Sequence, residues 1–458
     1  MKLEEINCEI TGPLTICCIA LFMGMMCFIS FKINIIIGVV YSTSYFLIVF
    51  LSQSKTSWIL MIIVSIIGYV FVLFYFTQGL PGKGPIVAKI VSKNPKSYYG
   101  VCSYKGKLIN LSGIGEEVMV GSNVCIHGTF TEKPQYEYGT VGEIKCSKIE
   151  SEKVNNSYNI YNLKDKIYNE FKISIGEESA GVMMSLAYGD TRFIEDTYKE
   201  QLSQLGIVHI ISVSGLHMNI LFSALALIPS IALQCTMGYL YVILTGSRPS
   251  TMRAFIMIAT SKIGRKIYKN YRSINALSLS AIIILCIKPW CAFNLGFILS
   301  YSSVLGIIVF YRILQRKLYF LPKRINESVS LSLASMSMTF IILSIMNKSI
   351  NIGFLVSNMI LVPLYSFLTL LGLIFMVVFN TSYLNGIISC VIRAVFALTD
   401  GVKNFLHHIF SLEIYFSYWE IVIIICMVYV YLKCKDDKIK LVRATGICLC
   451  FLGFMRIM

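Results

Sequence analysis

Residues 201–247 read QLSQLGIVHIISVSGLHMNILFSALALIPSIALQCTMGYLYVILTGS and contain no Asp, Glu, Lys or Arg. A helix needs about 20 apolar residues to cross a lipid bilayer, so this stretch predicts membrane-spanning helices. Further charge-free stretches lie on both sides of it. They are residues 10–31, 33–54, 56–82, 289–311, 328–347 and 349–392. The pattern predicts a polytopic α-helical membrane protein.

The composition favours the same fold class. Of the 458 residues, 56% are hydrophobic and 14% are charged, whereas a soluble domain carries about a quarter charged residues. A soluble enzyme, a transcription factor and a secreted disulfide-stapled scaffold are therefore excluded. The 15 cysteines include no C-x-x-C pair, and the five histidines form no H-E-x-x-H or H-x-H-x-D motif. We expect neither a metal site nor a cofactor.

The formal net charge is +16 and the pI is near 9.1. Cytoplasmic loops rich in Lys and Arg explain such a charge, and so does attraction for a polyanion; composition alone favours the loops. The loops at 262–272 and 312–324 each carry five Lys or Arg and no acid, and 433–443 is a third candidate. These loops predict the cytoplasmic face of a bundle of about ten to twelve membrane segments.

Three regions of different composition precede the main transmembrane domain. Residues 1–78 hold three apolar segments, which predict transmembrane helices with the third one ending on the outer face. Residues 79–153 consist of short alternating segments separated by Gly, Pro and Asn, typical of about five strands in a small OB-like barrel. The barrel is expected outside the cytoplasm, where Cys102 and Cys146 are candidates for a disulfide. Residues 154–205 predict amphipathic helices at the membrane interface, and residues 206–458 the main transmembrane domain.

Polar side chains cluster in Gly206–Leu221, GIVHIISVSGLHMNIL. Polar groups at membrane depth are costly unless they are buried against partners or line a wet cavity, so they are candidate functional residues. Gly215 loosens the helix there, and Ser214 and His217 are spaced to share one helical face. Hydrogen bonding between neighbouring helices remains the structural alternative. The polar residues are His209, Ser212, Ser214, His217 and Asn219.

A serine and a histidine at this spacing also suggest a hydrolase. Nucleophilic catalysis needs a base, a group that orients the base and an oxyanion pocket. Asp190, in the preceding AYGDTRF segment, is the nearest orienting carboxylate, but no G-x-S-x-G motif accompanies it. Hydrolysis is therefore a secondary hypothesis.

The segment LTGSRPSTMRAFIMI, residues 244–258, places Arg248 and Arg253 within or close to the membrane. Gly246 and Pro249 interrupt the apolar segment, and a helix break exposes backbone N–H groups that attract anions. The planar guanidinium groups match phosphate oxygens well. An ordinary cytoplasmic turn with positive-inside arginines is the alternative.

These blocks together resemble the ComEC family of competence proteins. The resemblance rests on SAGVMMSLAYGDTRF, LSQLGIVHIISVSGLHMNIL, GSRPSTMRAFIMI, KPWCAFNLGFILSYSSVLGI and SNMILVPLYSF, which occur in the family's order. It covers about residues 57–380 and includes the β-rich segment. The resemblance implies a channel, not an enzyme, that carries single-stranded DNA across the bacterial cytoplasmic membrane during natural transformation. The family motifs carry over to Asp190, His209, Ser212, Ser214, Gly215, His217, Arg248, Ser250 and Arg253.

The resemblance also implies partners: DNA, membrane lipid, a surface DNA receptor and a cytoplasmic ATP-driven translocase. The sequence has no G-x-x-x-x-G-K-[ST] loop of its own. It also lacks the H-x-H-x-D-H motif of the metallo-β-lactamase-like domain found in longer family members, so a short form and a separate nuclease are expected. In the block KPWCAFNLGFILSYSSVLGI, Lys288 replaces the acidic residue that the family has before Pro289, and Ile298 replaces the usual polar residue.

One more alternative stays open beside the hydrolase. A transporter of a small anionic solute would use the same broken helices and arginines without needing the barrel. Inverted repeats would favour it, and none is evident in the sequence.

Overall fold

The computed structural model describes residues 12–52, 55–79, 84–93, 99–113, 118–151, 156–268, 271–347, 349–351, 353–410 and 413–415. The basic loop predicted at 433–443 lies outside these described residues. The architecture is mostly helical with one small closed barrel near the N-terminus. This confirms the prediction of a polytopic helical membrane protein with a small β-barrel.

Three apolar helices open the described chain: α1 (Pro13–Ile33), α2 (Ile35–Ser52) and α3 (Lys55–Thr77). Helices α1 and α3 pack at close range. A side chain at Gly24 would collide with the Ser65 carbonyl, and a side chain at Gly68 would collide with the Leu21 carbonyl. Small residues at such contacts let membrane helices approach closely.

Five strands follow: β1 (Ile86–Lys93), β2 (Tyr99–Tyr104), β3 (Lys107–Ser112), β4 (Asn123–Thr131) and β5 (Thr140–Ser151). They close into a barrel in the order β1-β2-β3-β5-β4, with β3 and β5 parallel. Alternate residues point inward, as the period of a strand requires; in β1 these are Ile86, Ala88 and Ile90.

Cys102 and Cys146 are both free thiols in the structure, so the predicted disulfide is not formed there. Cys102 lies on β2 and Cys146 on β5, and β3 separates these two strands in the barrel. Burial raises the pKa of Cys102 to about 12, with a further contribution from Cys146, and burial raises the pKa of Cys146 to about 11. Both residues are therefore weakly reactive, protonated thiols at neutral pH.

The loop between β4 and β5 anchors the barrel to the ends of the helices. Tyr136 inserts its ring among three phenylalanines, with centroid distances of 4.9–6.3 Å. The Tyr75 hydroxyl, near the end of α3, donates a hydrogen bond to the Gly139 carbonyl at 2.8 Å. The three phenylalanines are Phe28, Phe76 and Phe293.

Helices α4 (Asn156–Ile175), α5 (Glu177–Tyr188) and α6 (Asp196–Gln204) occupy the region predicted to be amphipathic. Helix α4 buries Ile167 and Phe171 on one side. Helix α5 differs from the expectation, because residues 180–188 are all buried. The Tyr188 hydroxyl donates to the Gly372 carbonyl at 2.6 Å, so α5 is part of the helical core.

The remaining helices are α7 (Gly215–Ala224), α8 (Ile231–Leu244), α9 (Pro249–Lys266), α10 (Ser273–Ile287), α11 (Leu295–Lys317), α12 (Lys323–Asn347), α13 (Phe354–Val378) and α14 (Ser382–Phe410). A 3-10 turn at Pro289–Phe293 joins α10 to α11. Strands β6 (Ser349–Asn351) and β7 (Glu413–Tyr415) pair antiparallel. Within the described residues, five helices are long and apolar enough to span a membrane and four apolar helices are shorter.

The chain divides into two compact units. The first contains residues up to Asp196, His209–Tyr301 and Pro363–Thr399. The second contains Thr197–Val208, Ser302–Val362 and the chain from Asp400 onward. The barrel and the residues predicted to be functional belong to the first unit. In the second unit, the buried Lys403 ammonium contacts Asp400 at 2.7 Å and Gln201 at 2.8 Å.

Candidate functional site

The polar segment 206–221 forms a helix break followed by a helix start. A 3-10 turn covers Val208–Ile210, and α7 begins at Gly215. Ser214 is the N-cap of α7, and its Oγ accepts a hydrogen bond from the Leu216 amide at 3.3 Å. Serine is favoured here because its side chain satisfies one of the free amides at a helix start.

His217 completes this cap and is fully buried, with 0% of its surface exposed. Its Nδ1 accepts a hydrogen bond from the Ser214 amide at 3.1 Å, as a glutamate or glutamine does in the usual capping box. Because Nδ1 accepts, a neutral ring carries its proton on Nε2. In the described part of the chain Nε2 has no hydrogen-bond partner. The side chain therefore presents a buried, unused N–H donor.

Arg253 is the buried cation of the same region. It lies on α9 and is 7% exposed. Among the described residues it forms no ion pair, and its Nε has no hydrogen-bond partner. Its guanidinium carbon lies 5.9 Å from the centroid of the Tyr301 ring. An arginine buried without a carboxylate is costly, so this position is a functional candidate.

Gly215 and Ser250 bring these two elements together. Arg253 Nη2 lies 3.6 Å from the position that a side chain at Gly215 would occupy, so the glycine leaves room for the guanidinium. The Ser250 hydroxyl donates to the Val213 carbonyl at 2.9 Å and joins the start of α9 to the segment before α7. We call Ser214, His217, Ser250 and Arg253 the inner site.

Among the described residues, the Asp190 carboxylate bonds to Arg192 and not to a residue of the inner site. Arg192 donates to both carboxylate oxygens of Asp190, at 2.7–3.1 Å, and also contacts Asp165 at 2.8 Å. Burial raises the pKa of Asp190, but the hydrogen bonds and charge of Arg192 outweigh it and hold that pKa below its usual value. Burial likewise lowers the pKa of Arg192, and Asp190 outweighs it, so the net direction is upward.

Arg248 lies just before α9 and donates from Nη2 to the Gly189 carbonyl at 2.8 Å. It thereby links the start of α9 to the loop that carries Asp190. The other predicted residues of the segment are on the surface of the chain, since His209, Ser212 and Asn219 are exposed. The Ser212 hydroxyl donates to the His209 carbonyl at 2.9 Å. The structure therefore brings some predicted residues into a buried site and leaves others outside it.

Sequence reasoning missed several residues that contribute to these sites. Arg192 lies only two positions after Asp190, and this spacing could have indicated the ion pair between them. Tyr301 carries no such signal, because its position under Arg253 depends on helices distant in the sequence. In the described part of the chain, no three His, Cys, Asp or Glu side chains are grouped to hold a metal.

Fold and site define a multi-pass membrane protein with a small barrel and a buried cation that has no ion-pair partner among the described residues. Residues 186–438, more than half of the chain, match the family model described as Competence protein. The protein therefore belongs to the competence protein family, which confirms the resemblance drawn from its motifs.

One curated relative is ComE operon protein 3 of Bacillus subtilis (strain 168). The two sequences are 30% identical over 247 residues, a match that covers 52% of this chain and 31% of the relative. The chain thus matches under a third of that relative's length. No solved structure matches the chain.

Proposed function

We propose that the protein provides a path for single-stranded DNA across the bacterial cytoplasmic membrane during natural transformation. The observation that carries the proposal is the inner site, where Arg253 is buried without a carboxylate among the described residues and His217 offers an unused donor. A passing phosphate supplies the missing negative charge and acceptor oxygens. Each nucleotide brings one such phosphate, so a few fixed cations can act on the whole strand in turn.

The connections of α9 and α10 support an outward barrel. Lys288, at the end of α10, donates to the Ser247 carbonyl just before α9, at 2.8 Å. The following turn, Pro289–Phe293, contacts the barrel loop through Phe293. In the basic segment 262–272, Lys262, Arg265 and Lys266 lie at the end of α9 and Arg272 lies at the start of α10, the opposite ends of the same two helices. If that segment is cytoplasmic, as the positive-inside rule expects, the barrel faces outward.

The barrel is proposed to be an OB-like domain that contacts the strand before it enters the membrane. Its strand order supports this, and OB folds bind oligonucleotides on the face of strands 2 and 3. Tyr99 of β2 is 61% exposed and offers a ring on which a base can stack. Lys105, in the turn between β2 and β3, adds a positive charge beside Tyr104.

Binding, not hydrolysis, is the role proposed for the inner site. Ser214 Oγ lies 3.3 Å from His217 Nδ1, the geometry that favours a hydrolase. That nitrogen already accepts the Ser214 amide, however, and Asp190 is bonded to Arg192. Among the described residues, the histidine thus has no carboxylate to orient it, as a catalytic base needs. The proposed partners are a surface DNA receptor, a cytoplasmic ATP-driven translocase and a separate nuclease.

Deleting the gene in a transformable host and restoring it as wild type or His217→Ala tests the proposal. We expect His217→Ala to lower labelled DNA in the cytosol at least about tenfold, the effect of losing one hydrogen bond to a charged group. Surface-bound DNA is scored separately and should persist. His217→Gln, which can retain the cap, should insert normally and still import less than wild type.

His408→Ala is the matched control, because His408 is exposed near the end of α14. It should import DNA as the wild type does. Normal import by both His217 variants would remove the inner site from the path. Normal import after deletion would contradict the proposed function, and the anion transporter would become the leading alternative.

A further inference from the structure

Lys164 of α4 is a buried lysine in a segment whose sequence, NLKDKIYNEF, looks solvated. Only 4% of its surface is exposed. Among the described residues no carboxylate lies within ion-pair distance of its ammonium, and the nearby Asp165 and Asp190 both pair with Arg192. The ammonium lies over the Tyr161 ring, with Nζ 5.6 Å from the ring centroid. The ammonium thus has three donors and no anionic partner within the described chain.

Two arginines surround this lysine. Arg192 lies over the same Tyr161 ring, with its guanidinium carbon 5.4 Å from the centroid. Arg248 reaches the loop next to Asp190 through the Gly189 carbonyl. We call Lys164, Arg192 and Arg248 the outer basic cluster. The cluster has three positive charges, and Asp165 and Asp190 supply two negative charges beside it. One positive charge is therefore not neutralised by these carboxylates.

The outer basic cluster lies between the barrel and the start of α9. The Tyr161 hydroxyl donates to the Val91 carbonyl of β1 at 3.1 Å, so this part of α4 is tied to the barrel. Arg248 is the N-cap of α9, the helix that carries Arg253. These two arginines are separated by five residues, or about 7.5 Å along a helix. A strand held at the cluster is therefore next to the inner site.

We propose that Lys164, assisted by Arg192 and Arg248, binds a phosphodiester group of single-stranded DNA between the barrel and the inner site. The inference rests on the proposed function and adds a second phosphate contact on the same path. Lys164 supplies the free charge. Arg192 is held by its carboxylates, and Arg248 keeps the nitrogens not bonded to Gly189 for the ligand.

The test measures binding of a fluorescein-labelled oligothymidylate to the purified full-length protein in detergent. Lys164→Met should weaken binding about tenfold, since a charge-assisted hydrogen bond is lost, and should lower the slope of log affinity against log salt by about one. Lys166→Met is the matched control: Lys166 is on the same helix and is exposed. It removes the same charge and should change affinity little.

The pH dependence separates a phosphate contact from a structural role. Burial lowers the pKa of Lys164 to about 8, an effect that the Asp190 charge only partly offsets. Arg192 and Arg248 lower this pKa and Asp165 raises it, while Tyr161 is the ring beneath the ammonium. Wild-type binding should therefore weaken as the pH rises from 7 to 9, and Lys164→Arg should remove this dependence because arginine stays charged.

Two results would overturn the inference. Equal affinities and equal salt slopes for Lys164→Met and Lys166→Met, with wild-type binding intact, would exclude the phosphate contact and leave the import function standing. A second binding measurement replaces the oligonucleotide with anionic phosphatidylglycerol vesicles. If Lys164→Met loses affinity for these vesicles and keeps its affinity for the oligonucleotide, the phosphodiester is a lipid headgroup. Failure of import itself is measured separately by the deletion experiment.

Discussion

Arg253→Glu is expected to abolish DNA import while the protein still inserts into the membrane. The substitution places a carboxylate where a phosphate would pass, in a buried position next to Gly215, so repulsion replaces attraction. Removing one partner of a buried charge interaction costs about 3 kcal/mol or more, and import should fall at least about a hundredfold. The measurement is labelled DNA recovered from the cytosol, with membrane protein levels and surface-bound DNA determined in parallel.

Two variants serve as controls for this result. Arg253→Lys keeps the positive charge but loses the planar fork, so we expect partial import. Arg265→Glu makes the same charge change at the far end of α9, where Arg265 is exposed. It should import DNA nearly as the wild type does. Normal import by Arg253→Glu, or an equal loss in Arg265→Glu, would contradict a specific role for Arg253.

Asp190→Asn is expected to destabilise the protein strongly. Asp190 binds Arg192 through both oxygens, and its side chain is only 5% exposed. Breaking a buried pair leaves an uncompensated charge and costs about 3 kcal/mol. Chemical denaturation of the purified protein in detergent measures the loss. The same substitution should also disturb the outer basic cluster, because Arg192 loses its main anchor.

Asp165→Asn is the matched control, since Asp165 contacts the same arginine with a side chain that is 49% exposed. A partly solvated pair contributes less than about 1 kcal/mol. The pH dependence gives an independent check. The folded-state pKa of Asp190 lies below the ordinary value of 3.8, so its stabilisation is complete above that pH and is lost as the pH falls further. Equal destabilisation by both variants would contradict the importance of burial.

The overall fold could be predicted because its strongest signals are local. Charge-free stretches identified apolar helices such as α1, α3 and α13, and turn residues between alternating segments identified the barrel. The burial of α5 could not be predicted in this way. Its partner Gly372 is 184 residues from Tyr188, and nothing in the local pattern of α5 indicates that contact. Hydrophobic periodicity indicates which secondary structure a segment prefers, whereas the burial of that segment depends on which elements pack against it.

The inner site could be predicted in part, because the spacing of residues within one segment is also a local signal. The spacing of Ser214 and His217 predicts that they share one helical face, and the structure has them in one capping box at the start of α7. The sequence could not reveal that Asp190 bonds to Arg192, or that His217 has no carboxylate partner among the described residues. The sequence distinguishes Arg253, close to the membrane, from Arg265, in a basic loop, but it cannot show which of the two arginines is buried. The tertiary environment makes that distinction.

Photo-crosslinking to a strand halted during import is the most direct test of a DNA path through the inner site. A photoreactive amino acid replaces Ser250 of the inner site or Leu240 of α8, which is 53% exposed on an apolar surface. A bulky group at the trailing end of the DNA stops the strand within the protein. We predict strong crosslinking from position 250 and none above background from position 240. Absent crosslinking at 250, or equal crosslinking at both positions, in cells that import DNA would contradict a path through the inner site.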